Sequence, residues 1–273
     1  MAPFPVPTKS NPLFHYHACA HAFSARFTRP FEHQIDVQAA SSLGVMGGHG
    51  CARVDNFRFR EFISFRAGYT HVSGGFQDED EKKKREESNN TLVTSTLEGL
   101  NMMDVLTADR IVSRLYSKHP KGVPEGSITM HGSKFENLRI CGHSVNIDLD
   151  FVLFEDIQTY KQAQDAYANE RSAFHRVAAK PFGNGEVLKK QGDNGVFLCS
   201  LVKGGIQVNY PGVEKSGHSL YVPGFGTVYF AEVFITHGQR TLTMLRFQLG
   251  STTDASGCGS SATTNGQTWP PTG

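Results

Sequence analysis

Four potential metal ligands lie within seven residues near the start of the chain. Residues 15–21 have the sequence HYHACAH. In a β-strand, alternate side chains point to the same face. The ligands are two residues apart and would therefore share one face: His15, His17, Cys19 and His21. Because imidazole and thiolate groups are ligands of zinc and copper, zinc or copper is the candidate cofactor of this segment.

The spacing of these ligands limits what they can bind. Same-face neighbours on a strand lie ~6.5–7 Å apart, whereas a ligand lies only ~2–2.3 Å from a zinc ion. Two of the four could reach one ion together with a ligand from an adjacent strand, but all four could not. His33, His49 and His143, each near a predicted turn, are the candidate long-range partners. We therefore expect a half-exposed polar strand face rather than a compact four-ligand site.

A second candidate site consists of carboxylates. Four of them lie close together in the sequence: Asp148, Asp150, Glu155 and Asp156. Such a cluster could serve acid–base chemistry or calcium binding. However, Asp148 and Asp150 alternate with apolar residues, and this alternation already predicts a solvated outer strand face.

Motifs of nucleotide binding and of nucleophilic catalysis are missing. The glycine-rich segment 44–50 is not followed by Gly-Lys-Ser/Thr or by a clear helix start, so it predicts a turn. The sequence has no G-x-S-x-G motif, and no flanking pattern marks Cys141 or Cys199 as an activated thiol. The sequence thus favours a protein that is not an enzyme.

Charge and composition limit the kinds of partner that the protein can bind and the cellular compartment in which we expect it. Lys and Arg total 27 and Asp and Glu total 26, so the chain lacks the positive field that drives binding to nucleic acid. No apolar run approaches the ~20 residues of a membrane-spanning helix. The start of the chain has no signal-peptide pattern, which predicts a cytoplasmic protein, or an exported one if a leader has been removed. The five cysteines form no CxxC pair, which favours reduced thiols.

Alternation of polar and apolar residues along most of the chain predicts the fold class. It indicates strands at 57–66 and 105–116, a hairpin within 135–151, and a second hairpin formed by 227–235 and 241–249. Twenty Phe, eight Tyr and 28 Gly suit strands joined by tight turns. We predict a mainly β fold, either an antiparallel sandwich or a barrel-like sheet.

The same patterns predict one main domain with several appendages. A Pro-rich segment occupies residues 1–12, and a single β-rich domain spans 13–250. Ten consecutive charges at 78–87 predict a solvated loop. Helical spacing of apolar residues predicts one helical insertion at about 155–179. The Gly, Ser and Thr composition of 251–273 predicts a flexible tail.

Two segments carry a resemblance to a known family. Residues 133–143 read SKFENLRICGH and residues 222–228 read VPGFGTV. These segments resemble those of bacterial proteins of the choice-of-anchor P family, which are β-rich and have no established activity. The resemblance implies a β-rich fold and no catalytic residue. Members of that family usually carry an export signal and a surface anchor, and this sequence shows neither.

Two functions are therefore compatible with the sequence. The first is a non-enzymatic binding or structural module that recognises a protein or a small ligand through its edges or loops. The alternative is a metal-binding protein or a metal-dependent enzyme that uses the His15–His21 strand.

Overall fold

The chain folds into two β-sheets and a small group of helices. A computed structural model describes residues 13–79, 86–123, 125–178, 196–250 and 253–269. The strands of this part are β1 (Leu13–Arg29), β2 (His33–Gln38), β3 (Ser41–Ser42), β4 (Gly48–Phe59), β5 (Ile63–Glu79), β6 (Glu86–Met102), β7 (Leu106–Pro120), β8 (Ser127–Thr129), β9 (Lys134–Glu136), β10 (Arg139–Ile140), β11 (His143–Leu149), β12 (Val196–Ser200), β13 (Val202–Val208), β14 (Glu214–Ser216), β15 (Ser219–Val222), β16 (Gly226–Thr236), β17 (Gln239–Leu249) and β18 (Asp254–Trp269). The helices are α1 (Phe151–Glu155), α2 (Tyr160–Ala168) and α3 (Ala173–Ala178).

Each sheet is antiparallel and, in the described residues, nine-stranded. The first sheet has the order β14-β15-β16-β17-β18-β1-β2, with β12 beside β16 and β3 beside β1. The second sheet has the order β13-β11-β10-β7-β6-β5-β4, with β8 and β9 beside β7. The predicted mainly β antiparallel fold is confirmed, in its sandwich form.

The core of the sandwich is the space between the sheets, where aromatic rings from both meet. The ring centroids of Phe23 on β1 and Phe65 on β5 are 5.8 Å apart, and those of Phe135 on β9 and Phe230 on β16 are also 5.8 Å apart. Phe23, Phe65 and Phe230 are buried, and full burial of such a side chain contributes about 1.5–3 kcal/mol, whereas Phe135 is half-buried. The alternation of residue types along these strands places apolar side chains between the sheets and polar side chains on the outer faces.

Ser260 of β18 links the sheets through the core by hydrogen bonds. Its backbone has a φ of 53° and its side chain is fully buried. The Ser260 hydroxyl accepts a hydrogen bond from the backbone N of Ser113 (2.9 Å) and donates one to the carbonyl of Ser95 (2.9 Å). Because buried polar groups are costly unless they are bonded, these bonds fix how the two sheets face each other.

The helical insertion is present, but it is three short helices rather than one. Asp150 caps the start of α1 by accepting a hydrogen bond from the backbone N of Leu153. Thr159 then starts α2 with a capping box that includes Gln162. These caps interrupt the helical pattern that the apolar spacing alone predicts as continuous. The insertion packs on β12, where Phe174 of α3 meets Phe197.

The prediction of a flexible tail over 251–273 is wrong for Asp254–Trp269. These residues form β18, which lies between β17 and β1 inside the first sheet. Small side chains of this kind are typical of flexible segments, but here they let β18 fit between bulky neighbours. A Cβ atom on Gly257 would lie 2.6 Å from the ring of Phe247.

Two further segment predictions are corrected in part. The strand predicted at 57–66 is a hairpin, because the chain reverses between Phe59 of β4 and Ile63 of β5, with Arg60 at a φ of 49°. The ends of the predicted loop 78–87 belong to β5 and β6, and residues 80–85 lie outside the described residues, as does the Pro-rich segment 1–12. Across the described part of the chain, no helix has the length and apolar character needed to cross a membrane.

Candidate functional site

The four candidate metal ligands lie on one face of β1, as predicted. Their side chains alternate with buried residues such as Tyr16. His17 is exposed, whereas His15, Cys19 and His21 are half-buried. Within the described residues, no group of three or more His, Cys, Asp or Glu side chains is arranged to hold a metal ion. Binding of zinc or copper by this strand stays a prediction.

One of the four, His21, contacts a thiol on the neighbouring strand. His21 Nε2 and Cys258 Sγ of β18 are 3.2 Å apart, and Ser24 Oγ is 3.4 Å from the same sulfur. Burial lowers the pKa of His21 and raises the pKa of Cys258. Both groups are therefore neutral near pH 7, and the thiol can donate a hydrogen bond to the imidazole. This is a structural hydrogen bond rather than the thiolate–imidazolium pair of an activated nucleophile.

The long-range histidines make separate contacts. His33 stacks on Phe59 with a centroid distance of 4.6 Å, and His143 packs against Tyr210 at 5.1 Å. His49 is exposed on β4.

Replacement of His17 by Ala is expected to change the free energy of unfolding by no more than the ~1 kcal/mol typical of point substitutions, because the side chain is exposed. Because the spacing of His15, His17, Cys19 and His21 along one strand excludes a compact four-ligand site, we expect protein purified without a His tag to carry zinc or copper at well below one ion per chain. Thermal unfolding and elemental analysis measure the two quantities. One ion per chain that survives dialysis and is lost in both His17→Ala and Cys19→Ala would instead establish the metal-binding alternative.

The four candidate carboxylates have separate local roles, and Asp156 is the residue that ends α1. Asp150 is the cap of α1, and Asp148 is exposed on β11. Glu155 Oε1 lies 3.0 Å from Nε2 of His131. Of the thiols, Cys199 is fully buried, and burial raises its pKa to about 12, which keeps it protonated.

A buried ion-pair cluster on the first sheet was not apparent from the sequence. Glu232 of β16 accepts hydrogen bonds from Arg246 Nε (2.6 Å) and Nη2 (2.7 Å), and lies 3.1 Å from His218 Nε2. The Arg246 guanidinium also covers the ring of Tyr229 at 3.6 Å. Burial opposes ionisation of Glu232, but the hydrogen bonds from Arg246 and His218 outweigh it, so the pKa of Glu232 lies below its ordinary value. Because its members satisfy one another, the cluster is a structural element.

The second sheet carries a large concavity on its outer face, here called the outer groove. It has a volume of about 790 Å³, within the ~300–1,000 Å³ of small-molecule sites. Its floor is formed by β5, β6 and β7, and its wall by residues after β8. The lining residues are Gly48, Ser73, Gly74, Gly75, Phe76, Gln77, Asn90, Thr91, Leu92, Arg114, Tyr116, Thr129, His131 and Gly132.

A carbonyl oxygen in the outer groove lacks a hydrogen-bond partner. The Asn90 side chain is 8% exposed, and its Nδ2 donates to Gln77 Oε1. No described residue donates to Asn90 Oδ1, which is buried. Gly75 lies directly opposite Asn90 in the register of β5 and β6, and a Cβ atom on Gly75 would meet no atom within 4 Å. Open space thus lies beside Asn90, the residue whose acceptor is unpartnered.

The charges that line the outer groove are positive. Among its described lining residues there is no Asp or Glu, and the two groups that carry or can carry positive charge are Arg114 and His131. His131 is paired with Glu155. The guanidinium of Arg114, which is exposed, forms no ion pair with a described residue. The groove therefore favours a ligand with anionic or hydrogen-bonding oxygen atoms.

Sequence reasoning placed some groove residues on one face but did not find the site. The alternation in 105–116 puts Arg114 and Tyr116 on the same face of β7. This shared face was the only indication of the groove that the sequence offered. Asn90 and Gly75 meet only through the register of β5 and β6, which the sequence does not specify.

Comparisons with known proteins identify the family. Neither the curated proteins nor the solved structures include a match to this chain. The pattern that defines the family described as "Domain of unknown function (DUF8256)" matches residues 14–183 and 157–236, which together cover most of the chain. This protein therefore belongs to the DUF8256 family.

Proposed function

We propose that this protein is a non-enzymatic binding module and that the outer groove is its ligand site. The observation that carries the proposal is the buried Oδ1 atom of Asn90, which no described residue satisfies. A buried acceptor without a partner costs about 1–3 kcal/mol. Six such side-chain atoms occur in the described residues, and Asn90 Oδ1 is the one whose residue lines the concavity of about 790 Å³.

The proposal favours binding over catalysis because of the groups that line the groove. The nucleophiles and general bases of enzymes are side chains such as Cys, Asp, Glu and His, set close together. Of these types, the described lining residues include only His131, which is paired with Glu155. Aromatic, amide, hydroxyl and guanidinium groups predominate, and such groups orient a ligand without reacting with it.

The substitution Gly75→Leu is expected to abolish ligand binding without harm to the fold. The new side chain would project into open space opposite Asn90 and fill the groove. Ligand-observed NMR with a library of small, polar, ring-containing fragments measures the effect. We expect fragments that bind the wild type to lose binding to Gly75→Leu.

The matched control is Gly250→Leu, just after β17 in the other sheet, where a Cβ atom also meets nothing within 4 Å. This variant should bind the same fragments as the wild type. The proposal fails if no fragment binds the wild type, or if Gly75→Leu retains the same binders.

A further inference from the structure

The centre of the outer groove's floor presents side chains, because its backbone groups are used within the sheet. β6 pairs with β5 on one side and with β7 on the other. Its pairing with β5 is continuous under the groove, from Ser73 opposite Leu92 to Gln77 opposite Ser88. β4 pairs with β5 only as far as Gly48 opposite Gly74, so the backbone of residues 75–77 has no described strand partner on that side. Recognition at the centre of the groove depends on side-chain groups.

Tyr116 and Leu92 form an apolar surface in the centre of the floor. They are direct register partners on β7 and β6. Tyr116 is 37% exposed, and Thr129 of β8 lies opposite it on the other side. An exposed aromatic side chain offers apolar area against which the C–H groups of a sugar ring can pack.

Two polar groups lie at different levels along the strands. Asn90 is opposite Lys118, and Arg114 is four residues before Lys118 on β7, which separates the two levels by ~13 Å. Asn90 Oδ1 requires a donor such as a hydroxyl group. Arg114 offers a planar pair of N–H donors, which fits a carboxylate. A ligand that spans the two backbone levels is longer than one sugar ring.

We propose that the outer groove binds an oligosaccharide that contains a uronic acid, with Arg114 on its carboxylate and Asn90 on a hydroxyl group. This inference rests on the proposed function and names the ligand class of the same site. Uronic acid oligosaccharides combine the three features that the groove selects: an apolar ring face, hydroxyl donors and a carboxylate. The absence of Asp and Glu from the described lining residues supports the same class, because no like charge would oppose the acid.

Calorimetric titration with trisaccharides of galacturonate, glucuronate and mannuronate tests the inference. Each acid is compared with its methyl ester, which has the same rings without the charge. We expect at least one acid to bind at least about tenfold more tightly than its ester, as a charge-assisted pair implies. Arg114→Gln should remove this difference. Arg176→Gln, an exposed arginine on α3, is the matched control and should bind like the wild type.

The outcomes separate this inference from the proposed function. If an ester binds as tightly as its acid, or if Arg114→Gln weakens both equally, the uronic acid assignment is overturned and the groove remains a ligand site. If none of the trisaccharides binds, the assignment is also overturned, and the fragment experiment decides the proposed function separately. If an acid binds Gly75→Leu as tightly as the wild type, the acid binds outside the groove and the assignment is overturned, and the fragment experiment again decides the proposed function. Circular dichroism and thermal midpoints verify that each variant is folded.

Discussion

Removal of the residues after Gly250 is expected to abolish cooperative folding. The deletion takes out β18, which pairs with β1 on one side and with β17 on the other. Both neighbours would lose their hydrogen-bond partners, and the rings of Phe23 and Phe247 would lose the strand that lies between them. A domain is usually stabilised by only ~5–15 kcal/mol, so we do not expect the fold to survive the loss of a strand that is paired on both sides. Thermal unfolding followed by circular dichroism should show no cooperative transition.

Two point variants of β18 provide the matched comparison. Ala262 is 1% exposed in the core, whereas Ser256 is exposed on the same strand. Ala262→Asp should lower the free energy of unfolding by more than about 3 kcal/mol, because it buries a charge without a partner. Ser256→Asp should change it by less than about 0.5 kcal/mol. A truncated protein with the thermal midpoint of the full chain would contradict the placement of β18.

The substitution Glu232→Gln is expected to lower the free energy of unfolding by about 2 kcal/mol at neutral pH. Glu232 is the shared acceptor of Arg246 and His218, and its side chain is 12% exposed. Loss of the carboxylate leaves Arg246 without its ionic partner. Denaturant unfolding measures the change. Glu32→Gln, which removes an exposed partner of Arg26, is the control and should have little effect.

The stabilisation by Glu232 should depend on pH in a defined direction. Its pKa in the folded protein lies below the ordinary value, so the carboxylate contributes its full stabilisation above the unfolded pKa of about 4.3. The contribution is lost as the pH falls through the folded pKa. The difference in unfolding free energy between the wild type and Glu232→Gln should therefore be constant near neutral pH and shrink below about pH 4. A difference that grows on acidification would show that the carboxylate is not the stabilising form.

The strands with bulky alternating residues could be predicted from the sequence, and β18 could not. In β16 and β17, large apolar side chains alternate with polar ones, a pattern that is typical of strands with one face in a core. In β18 the inward positions include Gly257 and Ala262, because the rings of neighbouring strands already fill the space. Composition rules assign such residues to flexible segments. Local sequence therefore cannot distinguish a buried strand that needs small side chains from a flexible terminal segment.

The candidate site also could not be predicted from the sequence, because it depends on the pairing register of several strands. Alternation correctly placed the His15–His21 ligands on one face of β1, because a single strand fixes that geometry. The outer groove depends on three strands aligned so that Gly75, Asn90 and Lys118 lie on one level. Register of this kind is set by the packing of the whole sandwich, which the sequence of one strand does not contain.

The position of a bound fragment decides whether the outer groove is a ligand site. A crystal of the wild-type protein soaked with a fragment that binds in solution should show the fragment in the outer groove. We expect a donor of the fragment to lie about 2.7–3.2 Å from Asn90 Oδ1. Fragment density elsewhere on the protein, with Asn90 Oδ1 bonded only to water or to another side chain, would contradict the proposed binding function.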